Sequence, residues 1–212
     1  MPSPFSIRAY HSSDRAALRD IAWETGLLGQ PANGVMPDRE LFADLFTSAY
    51  TDEDLGPRLV AELDGLVVGY IVGSLHPSRA GAAYRRVALR VARGLALGRY
   101  PRLLGCLPYL EATVFERKPR APESAFPAQL HVNLRPQARG QGAGGRLLDT
   151  FLGETRASGA SGVQLSTTTE NLAALGLYAR RGFVEHSRLP SPLFTRLAGR
   201  PVARLVLTLH LR

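Results

Sequence analysis

Two residue types that carry much of protein chemistry are almost missing from this 212-residue sequence. Cys106 is the only cysteine, so no disulfide can form within the chain, which fits a reducing compartment. Lys118 is the only lysine, so the phosphate-binding loop that ends in Gly-Lys-Ser/Thr is excluded. The longest apolar stretch, residues 66–75, is too short to span a bilayer, and no basic and apolar leader marks the N-terminus. We therefore expect a cytoplasmic protein with no membrane span.

Negative charge is also scarce in one part of the chain. Between Arg79 and Arg120 ten arginine and lysine residues face only two carboxylates, Glu111 and Glu116, and ten minus two equals the net charge of +8. An arginine bias of this kind can reflect genome composition. The charge alone is therefore a weak argument for a nucleic-acid partner.

The apolar pattern predicts one domain over residues 1–212 with the order β-α-α-β-β-insertion-β-α-β-α-β-β. Asp64-Gly65 separates two β-rich runs and predicts a tight hairpin, because both residues tolerate positive φ. A basic helical insertion at about 76–127 separates strands 3 and 4. This order predicts a mixed sheet with helices on both faces. Such a fold is α/β in the broad sense and α+β in the narrower classification. The predicted strands are 7–10, 59–63, 66–72, 128–134, 162–168, 183–187 and 202–210, and the helices outside the insertion are 14–23, 38–48, a helix ending near 157 and a short one from 171 to about 181.

A glycine-rich run lies between a predicted strand and a predicted helix. It reads Arg139-Gly140-Gln141-Gly142-Ala143-Gly144-Gly145. Glycines let a ligand approach the backbone, and the first turn of a helix offers unpaired N–H groups that favour a diphosphate. The dinucleotide pattern also matches, but residues 135–139 intervene after the strand and residues 158–163 contain no carboxylate, so we reject it. A glycine-rich turn that binds no ligand is the alternative.

Two segments resemble motifs of the GNAT acetyltransferases. Residues 134–144 are similar to motif A, with Arg139, Gly142 and Gly144 in register. Residues 171–183 are similar to motif B, with Asn171, Tyr178 and Gly182-Phe183 in register. Residues 130–134 further resemble a bacterial subgroup related to the acetyltransferase-like domain of the animal O-GlcNAc hydrolase, some members of which are suspected of lacking catalysis.

The resemblance implies a fold and an activity. The fold is a mostly antiparallel sheet in which strands 4 and 5 are splayed, and the activity is that of an acyl-CoA-dependent N-acyltransferase. Acetyl-CoA is the implied cofactor, an unidentified amine is the acceptor, and a homodimer is a candidate assembly. The alternative is a CoA-binding pseudoenzyme that acts as a sensor or interaction module. The implied cofactor-binding residues are Val132, Asn133, Leu134, Arg139, Gly140, Gln141, Gly142, Ala143, Gly144, Asn171 and Tyr178.

Tyr178 is the candidate general acid, because a phenol stays protonated at neutral pH and can protonate a leaving thiolate. The alternative is a tyrosine that only packs. His131 is a candidate general base because it titrates in the useful range, and Glu24 is the other candidate. Asn171 is expected to cap its helix, and by the resemblance it also touches the cofactor.

The basic insertion leaves three interpretations open. It is a solvated helical subdomain that covers the sheet, a wall of the acceptor site that favours an acidic or phosphorylated substrate, or a surface for nucleic acid or membrane. Steeply salt-dependent DNA binding would favour the third.

Overall fold

The computed structural model describes residues 5–116 and 119–211, and in this part of the chain a single seven-stranded sheet forms. Its order is β1-β2-β3-β4-β5-β7-β6, and every neighbouring pair is antiparallel except β4 and β5, which are parallel. The predicted mixed, mostly antiparallel sheet is therefore confirmed. The strands are β1 (Ser6–Ala9), β2 (Arg58–Leu63), β3 (Leu66–Ser74), β4 (Ala128–Leu134), β5 (Gly162–Thr168), β6 (Val184–Pro190) and β7 (Ala203–His210).

Eight α-helices surround the sheet in the described residues. None of these helices is long and apolar enough to cross a membrane. The helices are α1 (Arg15–Thr25), α2 (Arg39–Phe46), α3 (Ser48–Thr51), α4 (Pro77–Ala96), α5 (Leu103–Phe115), α6 (Ala143–Ala157), α7 (Leu172–Ala179) and α8 (Pro192–Ala198).

Two short helices, α3 and α8, lie outside the predicted set. Within the predicted helical insertion, α5 forms with Pro108 inside it. A Cβ at Gly105 would lie 2.7 Å from Cγ of Pro37, so this glycine allows close packing rather than a break. The short helix α8 was not predicted, although Ser191 caps it by accepting the N–H of Phe194 at 3.3 Å. Tertiary packing overrides local propensity in α5, and the Ser-Pro start of α8 is a signal that the sequence offered.

The hairpin and the two-sided core follow the prediction. Asp64 and Gly65 both have positive φ, 50° and 78°, as a tight primed turn requires. One large buried cluster lies between the sheet and α6, with Phe151 at its centre. A second lies on the opposite face, where α1, α2 and α4 contribute residues such as Ile21. Helices therefore cover both faces of the sheet.

The two parallel strands diverge soon after they meet. β4 and β5 pair only through Ala128 with Val163 and Gln129 with Gln164, at the beginning of each strand. Both strands then continue, to Leu134 and to a position near α7, without further pairing. The predicted splay of strands 4 and 5 is confirmed, and it leaves an open gap in the middle of the sheet.

Candidate functional site

The start of α6 presents a row of unpaired backbone donors next to this gap. The first backbone hydrogen bond of the helix runs from the N–H of Arg146 to the carbonyl of Gly142. Over the described part of the chain, the N–H groups of residues 140–145 have no acceptor. Such donors, together with the positive end of the helix dipole, favour an anion.

The glycines of the run fall into two groups with different physical roles. Gly140 and Gly142 have φ of 72° and 89°, and a Cβ at either position would meet nothing within 4 Å. A Cβ at Gly144 would lie 2.8 Å from Cδ1 of Leu134, and one at Gly145 would collide with the guanidinium of Arg181. The first pair therefore sets the turn and faces open space, whereas the second pair lets α6 pack closely on β4 and on the end of α7.

Arg139 is engaged within the protein. Its N–H donates to the carbonyl of Pro136 at 3.1 Å, so Arg139 does not belong to the row of unpaired donors. Its guanidinium donates to the carbonyl of Leu134 at 3.0 Å and to that of Gly29 at 2.8 Å. The side chain fastens the end of β4 to the loop after α1. The side-chain amide of Gln141 similarly donates to the carbonyl of Gln137 at 2.6 Å, while its backbone N–H stays unpaired.

The edge of β4 that faces the gap carries further unpaired groups. The N–H of Arg135, just after β4, donates to the carbonyl of Val68 in β3, so backbone groups of odd-numbered residues in β4 point towards β3. Backbone groups of Val132 and Leu134 consequently point towards β5, beyond the last β4–β5 pair. Among these groups, the described part of the chain provides a partner for the carbonyl of Leu134 alone, which accepts from Arg139.

The two asparagines of the predicted set behave differently. The side-chain amide of Asn133 donates to Oγ1 of Thr25 at 2.7 Å, and its carbonyl accepts from the hydroxyl of Tyr70 at 3.2 Å. With its backbone turned to β3 as well, Asn133 is committed to the fold and does not reach the gap. Asn171 stands at the N-cap position of α7, but its side chain makes no capping hydrogen bond. The expected cap is therefore wrong, and the Asn171 amide lacks a partner in the described residues.

Tyr178 lies in α7 with its ring in the cluster on the α6 side. The side chain is 5% exposed, and its ring centroid lies 5.4 Å from that of Phe183. Within residues 5–116 and 119–211 the hydroxyl of Tyr178 makes no hydrogen bond. The hydroxyl oxygen is not completely enclosed by protein atoms, so it keeps access to solvent. Burial raises the pKa of Tyr178 well above its usual value, and the phenol is therefore protonated at neutral pH.

His131 lines the opposite face of the sheet. It is exposed to solvent, although β4 lies at the centre of the sheet, and its ring centroid is 5.3 Å from that of Tyr50. Desolvation by the neighbouring protein lowers the pKa of His131. Glu24, the other candidate base, is held by Arg135 in a two-pronged ion pair of 2.8 and 3.2 Å.

A pair of tyrosines beside His131 was not predicted from the sequence. The hydroxyls of Tyr50 and Tyr84 lie 2.8 Å apart, although 34 residues separate them in the chain. Tyr84 belongs to α4, in the predicted basic insertion. A contact of this kind depends on how α4 docks, so no local signal predicts it.

Neither of the two most pronounced surface hollows contains a predicted cofactor or catalytic residue. One, of about 390 Å³, is lined by residues of α1 and α2, and the other, of about 370 Å³, by residues near Gly56 and Glu154. The unpaired backbone donors lie elsewhere, at the start of α6 and along β4. In the described residues no cluster of three or more His, Cys, Asp or Glu side chains is placed to hold a metal ion.

Comparison with known proteins finds one family that resembles part of the chain. The family model of the acetyltransferase (GNAT) family matches residues 111–183, which contain β4, α6, β5 and α7. This part of the chain is therefore similar to the GNAT acetyltransferases.

Solved structures share the fold over the whole chain. The crystal structure of SsHAT is 27% identical, with a TM-score of 0.72, and covers 100% of both chains. The ribosomal-protein-alanine N-acetyltransferase from Brucella melitensis is 20% identical, with a TM-score of 0.57, over 97% of this chain and 99% of that one. The GNAT superfamily phosphinothricin acetyltransferase from Sinorhizobium meliloti, solved in complex with acetyl-CoA, is 18% identical, with a TM-score of 0.58, over 98% and 89%.

Proposed function

We propose that the protein is an N-acetyltransferase that uses acetyl-CoA as the acyl donor and transfers the acetyl group directly to an amine bound in the same complex. The observation that carries this proposal is the row of unpaired N–H groups over residues 140–145, at the end of a gap between two parallel strands. The acetyl-CoA complex of the Sinorhizobium meliloti enzyme, which has the same fold, supports the choice of donor.

The residues present fit such a donor. The N–H groups of residues 140–144 would bind the diphosphate, and each hydrogen bond to a charged oxygen contributes roughly 1.5–3 kcal/mol. The backbone groups of Val132 and the N–H of Leu134 would pair with the amides of the pantetheine arm, as a further strand would. The amide of Asn171 adds a polar group without a described partner near the end of β5. The bound thioester supplies the acetyl group and a thiolate leaving group.

The side chains proposed for proton transfer approach the gap from opposite faces. Tyr178 lies on the α6 side, and its buried phenol is protonated, so it can donate a proton to the departing sulfur. His131 lies on the other face, and its lowered pKa keeps the imidazole neutral at pH 7, so it can accept a proton from the attacking amine. This separation suits a direct transfer in which amine and thiolate occupy different sides of the acetyl carbon.

Substitution of Tyr178 by Phe tests the proposed acid. We expect kcat to fall roughly 100- to 10,000-fold, since general acid catalysis contributes about that factor, while the dissociation constant of acetyl-CoA changes little. Thiol release with an amine panel measures kcat, and calorimetry measures the affinity.

Tyr10→Phe is the matched control, because it removes a hydroxyl that donates to the carbonyl of Thr51 at the far edge of the sheet. Unchanged turnover in Tyr178→Phe would remove Tyr178 from the mechanism. Binding of acetyl-CoA without turnover of any amine by the unaltered protein would identify a CoA-binding module instead.

A further inference from the structure

The return segment of the insertion is fastened to β5 beside the gap. Gln164, which is 3% exposed, accepts the N–H of Ala121 at 2.9 Å and donates to the carbonyl of Ala121 at 3.2 Å. The same amide donates to the carbonyl of Phe126 at 2.7 Å. A buried side chain with three such bonds fixes the position of Ala121, and with it the backbone from which Arg120 extends.

This anchor lies on the same face of the sheet as His131. Gln164 stands between Val163 and Leu165, which both belong to the cluster on the α6 side, so its own side chain points to the other face. His131 stands between two residues of that same cluster and points the same way. Because Gln164 pairs with Gln129, two residues before His131, the anchor and the imidazole are near neighbours across the start of the gap.

The tyrosine pair lies on the same face of the sheet as His131 and the Ala121 anchor. The ring of Tyr50 contacts His131, and its hydroxyl bonds to that of Tyr84, whose side chain is 41% exposed. Arg120 extends from the backbone that Gln164 holds on this face. In keeping with that placement, burial raises the pKa of both phenols and the Arg120 guanidinium acts in the opposite direction on both.

Arg120 is also available to bind a ligand. In the described residues its one ion pair is with Glu123; it measures 3.6 Å and joins side chains that are 62% and 47% exposed, a type of contact that contributes little. Two other carboxylates of this region, Glu53 and Glu116, are held more closely. Glu53 pairs with Arg86 at 2.6 Å, and Glu116 is bound by Arg204 and by the hydroxyl of Ser191.

We propose that the acceptor is an amine that also carries a carboxylate or a phosphate, and that Arg120 and the hydroxyl of Tyr84 bind this anionic group while the amine faces His131. The proposal rests on the proposed acetyltransferase function and names the substrate class of the same site. It assigns to the basic insertion the role of a wall of the acceptor site.

Two matched pairs of amines test the substrate class. We would compare 4-aminobutyrate with n-butylamine, and O-phosphoethanolamine with ethanolamine, as acceptors in the presence of saturating acetyl-CoA. We expect kcat/KM to be about 10- to 100-fold higher for the acidic member of at least one pair. A hydrogen bond between charged groups stabilises a complex by an amount that corresponds to about this factor. Which pair shows the preference distinguishes a carboxylate from a phosphate.

Arg120→Gln should remove that preference by raising KM for the acidic amine, with KM for acetyl-CoA unchanged. Tyr84→Phe should weaken the acidic amine less, because it removes one hydroxyl and keeps the ring. Arg93→Gln is the matched control, since Arg93 is an exposed arginine near the far end of α4. It should retain the preference of the unaltered protein.

Equal turnover of both members of each pair, or a preference that survives Arg120→Gln, would overturn the proposal. So would a CoA complex that binds neither acidic amine at millimolar concentration in calorimetry. Tight, steeply salt-dependent binding of a DNA duplex together with equal turnover would assign the charge to a nucleic-acid surface instead. A protein that does not bind acetyl-CoA would refute the proposed function itself, which is a separate outcome.

Discussion

Substitutions at Gly142 can separate an effect on protein stability from an effect on ligand affinity. It is the N-cap residue of α6, its φ is 89°, and a Cβ there would meet nothing within 4 Å. Asn and Asp both tolerate the left-handed region better than other residues with side chains, and they have the same shape. Gly142→Asp and Gly142→Asn therefore differ by one negative charge at the start of the helix.

The added charge should act in opposite directions on stability and on binding. Without ligand, a carboxylate near a helix N-terminus stabilises by about 0.3–1 kcal/mol, which is a rise in Tm of about 1–4 °C relative to the Asn variant. Against a diphosphate, one unit charge 4 Å from another costs about 1 kcal/mol in water and about 4 kcal/mol near a protein surface. At about 1.4 kcal/mol per factor of ten, the acetyl-CoA dissociation constant should rise by a factor between about 5 and about 700.

Calorimetry with acetyl-CoA and thermal unfolding without ligand measure the two effects. The account predicts that the Asp variant unfolds at a higher temperature than the Asn variant and binds acetyl-CoA more weakly. Equal affinity of the two variants would refute the assignment of the diphosphate to this helix start. Gly153→Ala, in the middle of α6 with open space around its Cβ, controls for changes in helix stability alone.

Two further predictions concern charge and pH. Burial by itself would raise the pKa of Asp44, but hydrogen bonds from Arg19 and Tyr100 bring it below its usual value. The stability that ionised Asp44 contributes is therefore present above the unfolded pKa of about 3.9 and is lost as pH falls through the lower folded pKa. Asp44→Asn should lower the free energy of unfolding by about 3–5 kcal/mol, measured by denaturant unfolding at pH 7. A loss below about 1 kcal/mol would contradict the role of Asp44 as a buried, paired carboxylate. For His131, kcat/KM should fall on the acid side as the imidazole is protonated, with a midpoint below about 6.5, and an acid limb that persists unaltered in His131→Ala clears His131 of the role of base.

The order of helices and strands along the chain, the hairpin and the start of α6 were predictable because their signals are local. Asp64-Gly65 strongly favours a tight turn, and the glycine run between a strand and a helix is recognisable from residue types alone. The pairing register of β4 with β3 shows which backbone groups of β4 face the gap. Once the register is known, the period-two alternation of a strand is enough to identify those groups.

What the sequence did not reveal depends on contacts between distant segments. Arg139 matches the motif, yet only the folded chain shows that its guanidinium fastens β4 to the loop at Gly29. Asn171 has the residue type of a cap, but its φ and ψ of −88° and 62° leave the side chain without the capping bond. The hydrogen bonds from Tyr84 to Tyr50 and between Gln164 and Ala121 join residues 34 and 43 positions apart in the sequence. No periodic pattern of residues predicts contacts over such separations.

The central claim is that the exposed amides at the start of α6 bind the diphosphate of coenzyme A. A titration of the ¹⁵N-labelled protein with acetyl-CoA, followed through the backbone amide resonances, tests it most directly. The account predicts that the resonances of Gly140, Gly142 and Gly144 shift progressively and saturate, while those of Gly153 and Gly199 do not move. Saturable binding that leaves the resonances of residues 140–145 in place, or no binding at all, would contradict it.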